Sequence, residues 1–115
     1  MRTFNPTQGT TPAVESDAVS YHRLAVRAIE SDRLEDAVLY LRRSVELEPG
    51  FENAWNDLGV VMEALGNPSE AVRCYRRALR LEPSHDDARS NLGMLLMQMD
   101  LANALRHQAF TSSAA

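Results

Sequence analysis

The side chains that could do chemistry are few and widely separated in this sequence. The three histidines, His22, His85 and His107, lie far apart and do not have the spacing of metal ligands. The single cysteine, Cys74, cannot form an internal disulfide, and only neighbouring arginines could lower its pKa enough to make it a nucleophile. The five glycines never form a phosphate-binding loop. We therefore predict a protein without a catalytic site, a metal ion or another cofactor.

Composition and charge narrow the class of protein further. The 115 residues include 12 cations, all of them arginine, and 16 acidic residues, which gives a net charge of −4. This size fits one domain, and the 24% of charged residues is typical of soluble globular proteins. The net negative charge disfavours a nucleic-acid partner. The absence of lysine fits a GC-rich coding bias, which suggests a bacterial source.

Neither a membrane anchor nor a secretion signal is evident from the hydropathy pattern. No apolar run approaches the ~18 residues that a membrane span requires. Residues 1–12 lack the apolar core of a signal peptide. We therefore expect a cytoplasmic protein that does not enter the membrane.

Between its two terminal segments the sequence repeats itself with a fixed period. Glu48-Pro49 and Glu82-Pro83 lie 34 residues apart. Seven further identical pairs share this offset: Leu24/Leu58, Val26/Val60, Ala37/Ala71, Val38/Val72, Arg42/Arg76, Arg43/Arg77 and Leu47/Leu81. A third copy starts at Asp86, but it matches the second copy only in its first half. Finding such a repeat matters more for the fold than any single motif.

Within each unit the apolar residues follow the period of an α-helix. In the second unit Trp55, Leu58 and Leu65 share one helix face, and Ala71 and Tyr75 lie on the apolar face of the next helix. Proline after the glutamates ends each preceding helix. The pattern predicts helices over residues 16–31, 34–47, 52–65, 68–81 and 86–99.

Three short segments have the composition of helix starts. In the second unit Asn67 is a good N-cap, Pro68 suits the first helical position and Glu70 can complete a capping box. We expect residues 32–35 and 84–87 to open the following helices in the same way.

The segment after Met99 allows two interpretations. It contains no glycine or proline, so Asp100 could cap a separate or kinked helix, or the preceding helix could continue through Leu105. We prefer the separate or kinked helix. Residues 1–14 and 111–115 are predicted to be a flexible leader and a flexible tail, which leaves residues 15–110 as the domain.

The period and residue pattern resemble the tetratricopeptide repeat. In the second unit the residues that carry the resemblance are Trp55, Leu58, Gly59, Ala71, Tyr75, Ala78 and Pro83. It covers residues 18–51, 52–85 and, in part, 86–110. The first unit departs from the family pattern, with Tyr21 for tryptophan, Ala25 for glycine and Asp32 for the glycine between helices. The resemblance implies an all-α fold, a right-handed superhelical stack of antiparallel helix pairs with two full repeats and a partial third or capping helix.

The resemblance also implies a concave groove, lined by the first helix of each repeat, that binds a peptide segment or a partner helix. Carried over to this sequence, the groove positions are Val19, His22, Val26, Ile29, Asn53, Asn56, Val60, Glu63, Asp87, Ser90, Met94 and Met97. Asn53, Asn56 and Ser90 could hydrogen-bond an extended backbone, and the two methionines could adapt to irregular apolar ligands. Alternatively, the asparagines are only solvated, and the methionines pack against the terminal helix.

One ligand class of the family is disfavoured. Tetratricopeptide co-chaperones grip the carboxyl terminus of heat-shock proteins with lysine, asparagine and arginine. The matching positions here are His22, Val26, Asp57, Asp87 and Asn91. Because two of them are acidic and would repel a carboxylate, a neutral or arginine-bearing peptide fits better.

The second helix of the second unit carries a basic stripe. Arg73, Arg76, Arg77 and Arg80 lie at positions i, i+3, i+4 and i+7. They could face an anionic partner, or they could form a solvated face whose side-chain stems cover apolar surface. We prefer the solvated face because no aromatic residues interleave with the arginines and the chain is acidic overall.

These observations favour a non-catalytic protein-protein interaction scaffold or adaptor. The first alternative is a homo-oligomerisation module, such as a homodimer, that pairs through the end of the third repeat at Leu95, Leu96, Met99 and Leu101. The second is a regulatory or targeting module associated with a larger enzyme such as a glycosyltransferase. In each case we expect a protein or peptide partner, which the sequence does not identify.

Overall fold

The computed structural model describes the backbone of residues 15–114 and the side chains of residues 15–109. This part of the chain contains α-helices and no strand. The helices are α1 (Asp17–Glu30), α2 (Leu34–Leu47), α3 (Glu52–Ala64), α4 (Pro68–Leu81) and α5 (Asp86–Ala114). They confirm the predicted all-α fold, and the first four agree with the predicted ranges to within one residue at each end. The predicted leader, residues 1–14, lies outside the described residues.

The helices α1 and α3 end in the same kind of turn. Gly66 follows α3 with φ of 81°, and Asp32 takes the equivalent place after α1 with φ of 58°. In both turns the next residue donates a backbone hydrogen bond of 2.8 Å to the carbonyl five residues earlier. This arrangement is the Schellman motif, which requires a left-handed residue. Asp32 therefore helps to end α1, and the prediction that it opens α2 was wrong.

The starts of α2 and α4 differ in how they are capped. Before α4, the side-chain oxygen of Asn67 accepts a hydrogen bond from the backbone N–H of Glu70, and Pro68 is the first helical residue, as predicted. Before α2, the capping position is held by Arg33, whose side chain makes no capping hydrogen bond. Glu35 and Asp36, in the first turn of α2, stabilise this end of the helix because the helix dipole is positive there.

A histidine caps α5. Nδ1 of His85 accepts a hydrogen bond from the backbone N–H of Ala88 at 3.1 Å. The predicted cap, Ser84, instead donates its hydroxyl and its backbone N–H to the carboxylate of Glu82. These two hydrogen bonds lower the pKa of Glu82.

The helix α5 is continuous over 29 residues, so the preferred interpretation of a separate or kinked terminal helix was wrong. Asp100 occupies the position where the two earlier first helices end in a left-handed residue, yet it stays helical. The reason lies in the residues that follow it. Leu105 and Arg106 stand where Ala71 and Val72 are buried in the second unit. Folding back would force leucine into a space for alanine and bury an arginine without a partner.

The end of α5 also differs from the predicted boundary. The backbone of residues 111–114 continues the helix, although a tail was predicted from Thr111. Ala115 lies outside the described residues.

The core is built from small side chains where the helices cross. The helices pair as α1 with α2 and α3 with α4, and the pairs stack through α2 on α3 and α4 on α5. Fully buried alanines line these contacts: Ala25, Ala28, Ala37, Ala54, Ala71, Ala78 and Ala88. Tyr75 and Leu41 are the largest fully buried side chains and fill the wider gaps. The low aromatic content of the sequence thus corresponds to close helix packing.

Candidate protein-binding surface

The twelve predicted groove residues lie on α1, α3 and α5, but they differ in exposure. Those with exposed side chains are Asn53, Val60, Asp87, Ser90, Met94 and Met97, and we call the surface they form the first-helix surface. Those that are half-buried are Val19, His22, Val26, Ile29 and Glu63. Asn56 is buried. The structure therefore leaves about half of the predicted residues freely accessible.

Two polar contacts of the same kind connect the first helices of successive repeats. Nε2 of His22 donates to Oδ2 of Asp57 at 2.6 Å, which connects α1 to α3. Nδ2 of Asn91 donates to Oδ1 of Asn56 at 3.1 Å, which connects α3 to α5. His22 and Asn56 occupy equivalent positions in their repeats, as do Asp57 and Asn91. These contacts hold the stack together.

The burial of Asn56 corrects the expectation that its side chain is free to bind a ligand backbone. Its oxygen accepts the hydrogen bond from Asn91, and the residue is only 6% exposed. Ser90, at the same position one repeat later, is exposed and keeps its hydroxyl accessible. The sequence could not distinguish the two because burial depends on the helices packed on either side.

Two further candidates also have partners within the chain. The hydroxyl of Tyr75 donates to the carboxylate of Glu63 at 2.7 Å. The pKa of Tyr75 is raised, mainly because the hydroxyl is buried and secondly because of this hydrogen bond. Nε2 of His85 donates to Oδ1 of Asn53 at 2.8 Å, although Asn53 remains exposed. Most polar residues of the predicted groove therefore also stabilise the fold.

The apolar part of the first-helix surface lies on α5. Met94, Met97, Gln98 and Leu101 line an open cleft of about 450 Å³. Met94 is 59% exposed, Met97 is 72% exposed and Leu101 is 62% exposed. The alternative in which the methionines pack against a terminal helix is thus wrong, because none of the described helices folds back over them. Leu105 extends the same stripe along the helix, which the sequence reasoning did not include in the groove.

The predicted oligomerisation surface is only partly accessible. Leu95 is buried in the core, and Leu96 and Met99 are half-buried against it. Of the four predicted residues only Leu101 is exposed. The apolar stripe that α5 exposes is therefore rotated around the helix from the predicted one.

The residues of the second repeat determine the family. Gly59 lies against the ring of Tyr75 where α3 crosses α4, and Trp55 and Ala78 hold the positions that the repeat pattern assigns to them. The family model described as tetratricopeptide repeat matches residues 52–85. Residues 52–85 are a tetratricopeptide repeat.

Solved structures that are similar to this chain share its fold. A crystal structure of MamA is 22% identical, has a TM-score of 0.71 and is matched over 75% of this chain and 50% of its own. A structure of MamA from residue 41 to the end, from Desulfovibrio magneticus RS-1, is 23% identical, with a TM-score of 0.71, and is matched over 80% of this chain and 52% of its own. The chain thus spans about half the length of these structures. A comparison with curated proteins found no match.

Three kinds of functional feature can be checked in the described residues: metal sites, membrane spans and the state of the single cysteine. No group of three or more histidine, cysteine, aspartate and glutamate side chains there could hold a metal ion. No helix in this part is long and apolar enough to cross a membrane. The pKa of Cys74 is raised to about 12, mainly because the thiol is buried and secondly because of the negative charge of Glu70. The positive charges of Arg42 and Arg73 act in the opposite direction but are smaller effects. The thiol is therefore protonated and enclosed, unlike a catalytic cysteine.

Proposed function

We propose that this tetratricopeptide-repeat chain is a non-catalytic scaffold that binds a protein segment on its first-helix surface. The observation that carries the proposal is the set of exposed apolar side chains on this surface, Val60, Met94 and Met97, which lie on the first helices of successive repeats. Exposed apolar patches with a polar surround mark interaction sites, and methionine side chains adapt to varied ligands. The exposed Asn53 and Ser90 offer hydrogen-bonding groups on the same surface.

The charge of the surface selects the kind of segment. Asp87 is exposed, Glu63 is half-buried, and none of the twelve groove positions carries lysine or arginine. An amphipathic peptide or helix with apolar anchors and a flanking arginine or lysine would match both features. A segment ending in several acidic residues would be repelled.

Selection from a displayed peptide library tests this proposal. Peptides enriched on the full chain are measured against Val60→Arg and against Leu39→Arg. Val60 lies on the first-helix surface, whereas Leu39 is an exposed apolar residue on α2 and serves as the matched control. We expect Val60→Arg to abolish binding and Leu39→Arg to preserve it. Peptides that bind both variants equally would contradict the proposed surface.

A second candidate function, self-association, is favoured by the exposed stripe on α5. Met94, Met97, Leu101 and Leu105 recur every three or four residues with no covering helix in the described part of the chain. Two copies could pair these stripes in antiparallel orientation about Leu101, which keeps the stacks α1–α4 at opposite ends. Antiparallel pairing also opposes the helix dipoles favourably.

Sedimentation at several concentrations tests the second candidate. We expect a dimer that Leu101→Glu dissociates and that Leu39→Glu does not affect. A monomer at all concentrations would rule out self-association without affecting the proposed peptide site at Val60. Either function would also serve a cytoplasmic regulatory or targeting module that acts beside a larger enzyme such as a glycosyltransferase.

A further inference from the structure

We propose that a cleft between Trp55 and the arginines of α4 binds a phosphate group. The cleft has a volume of about 270 Å³ and is lined by Trp55, Glu70, Arg73, Cys74, Arg77 and Arg80. We call it the arginine cleft. Its residues do not include any of the first-helix surface, so the inference goes beyond the proposed peptide site.

Arg77 lies against an aromatic ring and has no acidic partner among the residues that the structure describes. Its guanidinium carbon lies 5.7 Å from the ring centre of Trp55. Its Nε is buried without a hydrogen-bond acceptor, the only such side-chain atom among the described residues. The indole N–H of Trp55 donates to the carbonyl of Pro49 at 2.8 Å, which fixes the ring beneath the guanidinium. Buried donors are normally paired, so an acceptor that reaches this N–H would be bound favourably.

The first repeat shows which acceptor an arginine at this position takes. In the first repeat Arg43, the equivalent of Arg77, pairs with the carboxylate of Glu46 at 3.5 Å. The equivalent of Glu46 in the second repeat is Arg80. The second repeat has therefore replaced the carboxylate by another cation, which leaves two guanidinium groups on one helix face. Like charges at this spacing are unfavourable unless an anion lies between them.

The charge of the arginine cleft matches a dianion. Three arginines line it against one acid, Glu70, whose carboxylate is already 3.3 Å from Arg73. The remaining two positive charges, from Arg77 and Arg80, complement a phosphate or a phosphate monoester. Guanidinium groups bind phosphate oxygens in a bidentate manner, which favours arginine over lysine at such a site. The ligand is either free phosphate or a phosphorylated side chain.

Because Trp55 is the only tryptophan in the sequence, its fluorescence reports directly on this cleft. The full chain is titrated with inorganic phosphate and with a phosphoserine peptide, with sodium chloride keeping the ionic strength constant. We expect a saturable change in emission. Arg77→Lys should weaken binding about tenfold because it keeps the charge but loses the bidentate geometry. Arg76→Ala is the matched control, since Arg76 is exposed on the same helix and does not line the cleft.

Arg80→Glu provides a second, independent test. It restores the arrangement of Arg43 and Glu46, so the helix should remain folded by circular dichroism while phosphate binding is lost. Tighter binding of the phosphoserine peptide than of phosphate would assign the cleft to a phosphorylated protein, and equal binding would assign it to the free anion. A change in fluorescence that chloride alone reproduces, or that Arg76→Ala abolishes equally, would overturn the proposal.

Discussion

Gly59 lies directly against the ring of Tyr75 where α3 crosses α4, so that a side chain at position 59 would overlap the ring. A Cβ added to Gly59 would lie 2.5 Å from Cε1 of Tyr75. At the equivalent positions of the first repeat stand Ala25 and Leu41, both fully buried. The larger side chain, tyrosine, thus packs against glycine, and the smaller one, leucine, packs against alanine. The two repeats therefore fill the same helix crossing with different pairs of residues.

This relationship predicts that Gly59→Ala destabilises the fold and that a second substitution compensates. We expect Gly59→Ala to lower the free energy of unfolding by about 1–3 kcal/mol because the ring must shift. Adding Tyr75→Leu recreates the pair found in the first repeat, so the double variant should lose less than the sum of the two single losses. Urea unfolding of the four proteins measures this coupling.

Gly93 provides the control for that cycle. It occupies the same repeat position, but a Cβ there would meet nothing within 4 Å, because none of the described helices folds back over α5. Gly93→Ala should therefore raise the free energy of unfolding by up to about 1 kcal/mol, the gain in helix propensity. Additive losses in the cycle, or a loss at Gly93, would contradict the assignment.

Asp32 is predicted to be a site where glycine stabilises the chain. Its φ of 58° is a left-handed conformation that costs a non-glycine residue about 1–2 kcal/mol. Asp32→Gly relieves this cost but increases the freedom of the unfolded chain, so we expect a net gain of up to about 1 kcal/mol. Gly66→Asp makes the reverse change at the equivalent turn and should destabilise. Thermal unfolding of both variants compares them, and equal melting temperatures would contradict the prediction.

Cys74 is predicted to be unreactive in the folded chain and to affect stability at high pH. Its buried thiol has a pKa raised from 9.0 to about 12. This contribution to stability is fully present below pH 9 and is lost as the pH rises towards 12, because the unfolded thiol ionises first. Cys74→Ala should therefore flatten the alkaline decline. Tyr75, whose pKa is also raised, adds a parallel decline that the variant retains.

Labelling with a thiol reagent checks the same prediction directly. At pH 8 we expect the folded chain to react slowly and the urea-unfolded chain to react at once. Rapid labelling of the folded chain would show that Cys74 is accessible.

Leu24 and Leu58 occupy the same position in their repeats, but truncation to alanine should lower the stability by different amounts. Leu58 is 3% exposed and lies in a cleft beside Val45 of the preceding repeat, whereas Leu24 is 40% exposed. We expect Leu58→Ala to cost about 2–5 kcal/mol. Leu24→Ala should cost much less, because in the described part of the chain no helix pair precedes α1. Chemical denaturation of both variants tests this, and equal losses would contradict it.

Much of the fold could be read from local sequence signals. The 34-residue offset, the apolar period and the cap at Asn67 predicted four helices to within one residue at each end. These features depend on neighbours along the chain, which the sequence contains directly. Asp32 shows the limit, because a polar residue at a helix boundary can end one helix or begin the next, and both fit its composition.

The sequence by itself determined the repeat, the helices and the residue types at each helix crossing of this chain. Only the tertiary structure decided that Asn56 is buried while Ser90 is exposed, that α5 continues through Asp100, and that Arg77 rests on Trp55 without an acidic partner. The physical reason is the same for each. Helix formation follows from spacing along the chain, whereas burial and pairing depend on what packs against a side chain from elsewhere.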